Sequence, residues 1–80
     1  MTREEISEIN SDAVIWDGLD DAIIGMAERC GLGPVVAYSV EKIILILIQQ
    51  GMSEEESWEW YDYNIAGAFI GENIPVHIFI

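Results

Sequence analysis

Residues 34–51 read PVVAYSVEKIILILIQQG, and the class of fold turns on how this stretch divides. Pro34 to Tyr38 is rich in β-formers and follows the Gly31 to Gly33 turn, which suits a strand. Ser39 then stands where an N-cap belongs. The run Ile43 to Ile48 is apolar on every side, so periodicity alone does not separate a buried helix from a buried strand. The ends decide it: Ser39 and Glu41 on one side, with Gln49, Gln50 and Gly51 on the other, frame a capped helix of about three turns. A strand that runs directly into a helix points to a mixed α/β (α+β) domain.

Working outward, the segment after Gly51 carries the clearest helical signal. Ser53 and Glu56 form a capping box, and Trp58, Tyr61, Ile65 and Ala68 follow at intervals of three and four, which predicts an amphipathic helix from Ser53 to about Phe69. Gly71 and Pro75 close it, and Val76 to Ile80 reads as a terminal strand that pairs with Pro34 to Tyr38. Upstream, Thr2 and Glu5 form a capping box for a short helix through about Asn10, with Ile6 and Ile9 on its apolar side. Ala13 to Trp16, before the turn pair Asp17-Gly18, suits a brief strand. Asp17 or Leu19 leads into a second helix through about Cys30, with Ile23, Met26 and Ala27 at helical spacing and Asp20 and Asp21 in its first turn. No linker or repeat divides residues 1–80, so a single domain is expected, with three or four helices packed on a small sheet of two or three strands. Its expected core is Val35, Tyr38, Ile44, Leu47, Trp58, Tyr61, Ile65 and Ile78.

Charge is the most unusual property of the chain. Fifteen acidic residues against three basic ones give a formal charge of −12. No Lys or Arg follows Lys42, whereas Glu54, Glu55, Glu56, Glu59, Asp62 and Glu72 do. Such a surface repels phosphate backbones and anionic lipid and attracts basic protein surfaces. The plain alternative is that the charge serves solubility. The longest clean apolar run, Ile43 to Ile48, is far short of the ~20 residues of a membrane span. The single Cys30 allows no intramolecular disulfide and suits a reducing interior, so a cytoplasmic location is expected. A monomer is expected as well.

Residue chemistry points away from catalysis. Cys30 has no partner cysteine or nearby histidine in sequence, Asp12, Asp17, Asp20 and Asp21 do not follow the spacing of a calcium loop, and Gly31 with Gly33 lacks the Lys and Ser or Thr of a phosphate-binding loop. His77 alternates with Val76 and Ile78 as an ordinary strand residue. No enzyme, metal or cofactor is expected. Glu55, Glu59 and Asp62 instead share one face of the long helix, at spacings where like charges destabilise an isolated helix by a few tenths of a kcal/mol per pair. Successive carboxylates there lie roughly 5 to 6 Å apart along the axis, a scale comparable with nucleic-acid phosphates. Trp58 and Trp60 cannot share one side of the helix, so Trp60 and Tyr63 are candidate interface anchors among the acids.

The segment GMSEEESWEWYDYNIAGAFIGENIPV, with the upstream ERCG and the AYSVEKII junction, resembles a group of short proteins encoded by phages and prophages, over roughly Gly18 to Ile80. Its size, acidity and small α/β pattern also resemble phage anti-CRISPR inhibitors of type I surveillance complexes. The resemblance carries no active-site signature. It implies an inhibitor whose acidic face (Glu55, Glu59 and Asp62, with Trp60 and Tyr63 beside it) docks on the basic nucleic-acid channel of a defence complex and blocks target DNA. The other expectation is an accessory protein of a phage or bacterium that meets a protein partner through an aromatic or apolar patch, its acidity serving solubility.

Overall fold

A computed structural model describes residues 1–68 and 71–80. Helix α1 (Arg3–Ile9) starts at the predicted capping box, in which the Thr2 hydroxyl accepts from the Glu5 amide and the Glu5 carboxylate accepts from the Thr2 amide. One side chain of this short helix, Ile6, is fully buried. Asn10 ends it and ties distant pieces together, its side-chain amide donating to the Pro34 carbonyl at 2.7 Å and to the Asn73 side chain at 3.1 Å.

Two expectations for the next twenty residues are overturned. Ala13 to Trp16 forms no strand; its link to the C-terminal loop is the Val14 amide donating to the Asn73 carbonyl, and the Trp16 amide donates to the Tyr38 hydroxyl instead of to a ladder. The helix expected through Cys30 is a single 3-10 turn at Asp20–Ala22 followed by strand β1 (Ile23–Arg29). β1 folds back on β2 (Leu32–Ser39) as an antiparallel hairpin, with Arg29 opposite Leu32 and Gly31 at the corner in the left-handed region. Irregularities in register between Ile23 and Gly25 and between Ala27 and Arg29 break the two-residue alternation that marks a strand. What remained visible in the sequence was the chance spacing of Ile23, Met26 and Ala27.

β2 is the central strand, buried from Val35 to Ser39, and runs directly into α2 (Val40–Gln49) as predicted. Ser39 caps α2 by accepting from the Lys42 amide at 3.1 Å. Gly51, also in the left-handed region, turns the chain into α3 (Glu54–Tyr61), whose start is the Ser53/Glu56 capping box. A π-helical turn over Asp62–Ala66 continues α3. The predicted end of this helix near Phe69 lies outside the described residues.

Strand β3 (Val76–Ile78) pairs in parallel with β2, with Ala37, Tyr38 and Ser39 opposite Val76, His77 and Ile78, which gives a three-stranded mixed sheet in the order β1-β2-β3. The fold is the expected small α+β domain. Val35, Tyr38, Ile44, Leu47, Tyr61 and Ile65 are buried as predicted. Trp58 and Ile78, the other two residues expected in the core, are 37% and 39% exposed. α3 turns Ser57, Tyr61 and the neighbouring Ile65 inward, and Trp58, about 100° around the helix from Ser57, falls on the flank. Among the described residues no helix is long and apolar enough to cross a membrane.

Candidate partner-binding surface

The face of α3 is set by its shortest inward residue. Ser57 is completely buried and its hydroxyl donates to the Ser53 carbonyl at 2.8 Å, and with Tyr61 and Ile65 it forms the buried line of this helix. Glu55, Glu59 and Asp62 lie on the opposite side and are all exposed. Trp60 is half-buried against the core, whereas Tyr63 is 86% exposed. Glu59, Trp60 and Tyr63 meet in a shallow hollow with Met52 and Glu56. Glu55 and Asp62 lie outside that hollow, so the five predicted residues form an acidic stripe with an aromatic hollow along one margin.

The electrostatics of the stripe follow from where the cations are. Arg3 is held at the far end of the chain, 3.0 Å from Asp20 and 3.3 Å from Asp17, and its hydrogen bonds hold the Asp20 carboxyl below the usual carboxylate range. Arg29 directs its guanidinium at the Gly33 and Glu72 carbonyl oxygens. Lys42 sits on α2. Arg3 makes all the ion pairs among the described residues, and none reaches α3. Glu56 is occupied differently, since its bonds to the Ser53 amide and hydroxyl lower its pKa and fix it at the helix N-terminus.

A second surface escapes the sequence reading. On the other flank of α3, Trp58 faces Leu45 and Ile48 of α2 and Phe79 and Ile80 of the C-terminal segment across a groove of about 480 Å³. Leu45 is 51% and Phe79 76% exposed. The available signal was the all-round apolar character of Ile43 to Ile48, because a helix in so small a domain buries one side only.

The histidine has a structural setting. The Trp16 indole N–H donates to His77 Nε2 at 3.0 Å, the two rings stack, and Tyr61 meets the imidazole edge-on. Burial pushes the His77 pKa down, so the ring is held neutral as an acceptor. Cys30 is exposed at the hairpin turn. Among the described residues no cluster of three or more His, Cys, Asp or Glu is placed to hold a metal ion.

No family model matches the chain, and no match was found among the curated proteins or the solved structures.

Proposed function

We propose that this protein is a non-enzymatic inhibitor that occupies a basic, nucleic-acid-binding protein surface through the exposed face of α3. The observation that carries the reading is the set of carboxylates Glu55, Glu59 and Asp62, exposed on one helix and free of ion pairs among the described residues. A helix that only had to be soluble would gain from mixed signs at these spacings. Holding like charges on one rigid face instead creates a field that steers a basic partner and repels nucleic acid. Tyr63 and the edge of Trp60 supply aromatic contact area beside it. The resemblance to phage inhibitors makes a type I surveillance complex the first partner to test, with competition for target DNA as the mechanism.

The test is competition. The wild type and a Glu55→Lys/Glu59→Lys/Asp62→Lys variant are titrated against a purified type I surveillance complex in the presence of labelled target DNA, at low and high salt. The wild type should displace DNA, less effectively as salt rises, and the variant should fail while keeping the wild-type circular dichroism spectrum. Equal displacement by the variant removes the stripe from the mechanism. Failure of both proteins removes this class of partner.

A further inference from the structure

The groove beside Trp58 adjoins a second concavity of about 450 Å³, and the two share Glu41, Leu45 and Ile80 as a common wall. Side by side they line the outer side of α2 as a trench of two parts, with Ile23 and Ile24 at one end and Trp58 at the other. α2 is apolar on two sides. Val40, Ile43, Ile44 and Leu47 are buried against the domain, whereas Leu45 and Ile48 form a further apolar edge that no described residue buries. Exposed apolar residues scattered singly need no explanation, whereas Leu45, Ile48, Trp58, Phe79 and Ile80 gather around one groove.

We infer that this trench receives a cationic amphipathic helix of a partner protein. The inference is independent of the acidic stripe on α3, which lies on a different face. Charge complementarity selects the occupant. The trench floor is apolar, and its walls carry Glu41 from α2 and Glu54 from α3. Lys42, lining the Ile23 end, is its single basic residue. A second copy of the chain would bring together two molecules of charge −12, a like-charge association that costs affinity. An anionic membrane meets the same repulsion. A helix with apolar side chains at i, i+3 or i+4, and i+7 fills the floor and sets Lys or Arg against both walls. The track follows the ten residues of α2, about 15 Å, which matches two to three turns of such a helix.

The probe is a synthetic 14-residue Leu/Lys peptide with leucines at those positions, labelled for fluorescence anisotropy. Its controls are a scrambled peptide of equal composition and a Leu/Glu peptide with the same apolar positions. The Leu/Lys peptide should bind wild-type protein at least tenfold more tightly than either control. Leu45→Ser and Ile48→Ser should each weaken it about tenfold, and backbone amide shifts in the unaltered protein should cluster around Leu45, Ile48, Trp58 and Phe79. The triple lysine variant of α3 should bind the peptide within about threefold of wild type, which separates this inference from the role of the stripe. Equal binding of the scrambled peptide, loss of binding in the α3 variant, or shifts centred elsewhere would each overturn it. So would concentration-dependent dimerisation abolished by Leu45→Ser, which assigns the trench to a second copy. Shift mapping on the unaltered protein decides the matter should either serine variant fail to fold.

Discussion

Three residues show how narrowly single side chains constrain this molecule. Tyr61 is buried and packs edge-on against His77, so Tyr61→Ala should cost about 3 to 5 kcal/mol in chemical denaturation. Trp58 lies on the flank, and Trp58→Ala should cost about 1 kcal/mol, with a change in partner binding as its larger effect. Gly67 follows the π-helical turn, where a Cβ would lie 3.1 Å from the Asp62 carbonyl oxygen, which itself accepts from the Gly67 amide. In Gly67→Ala that contact opposes the gain of about 0.4 to 1 kcal/mol that a compatible φ of −84° would give, and chemical denaturation should show no net stabilisation. His77 adds a pH dependence. Its folded pKa lies below the ordinary value, so on acidification the unfolded chain takes up the proton first. The contribution is complete above the ordinary imidazole pKa of about 6.5 and is lost as pH falls through the window below it. Denaturation midpoints between pH 7.5 and pH 5 should fall further for the wild type than for His77→Gln, in which the rest of the charge repulsion is retained.

At the scale of elements, legibility followed locality. The capped helices α1, α2 and α3 begin where Thr2, Ser39 and Ser53 announce them, because an N-cap acts through bonds to amides two or three residues away. Ser53→Ala, which removes the hydroxyl that accepts from the Glu56 amide and leaves the Ser53 amide donating to the Glu56 carboxylate, should cost about 1 kcal/mol in thermal or chemical unfolding. β1 was misread because its identity is not local. IIGMAER is a strand through its pairing with β2, and the two irregularities in that pairing erase the alternation. The same limit applied to the candidate surface. The exposed side of α3 was readable from the four-and-three spacing of Glu55, Glu59 and Asp62, since a single helix defines it. The trench was not, since Leu45, Trp58 and Phe79 come together only when α2, α3 and the C-terminal segment are packed. Trp58 went to the wrong place because Ser57, a small polar residue with a bonded hydroxyl, occupies the buried line of the helix that an aromatic residue was expected to take.

For the whole molecule, net charge sets the response to its surroundings. With Arg3 alone making ion pairs among the described residues, screening has many repulsions to weaken and few attractions to lose. Raising sodium chloride from about 0.01 to 0.15 M, which shortens the screening length from about 30 to 8 Å, should raise the thermal midpoint. A midpoint that fell would mean that the carboxylates are better compensated than the contacts indicate. The mixed sheet has a different consequence, for the order in which the chain assembles and comes apart. β1 and β2 are neighbours in sequence and close with a short loop, whereas β3 reaches its place beside β2 from about 40 residues further along, after both helices. Only three residues hold it there. The amides of Val76 to Ile78 should therefore exchange with deuterium before those of Val35 to Tyr38, as a unit that opens without global unfolding. Phe79 and Ile80 follow that strand directly, so each such opening also removes one wall of the trench, and a partner that fills it would slow exchange in β3.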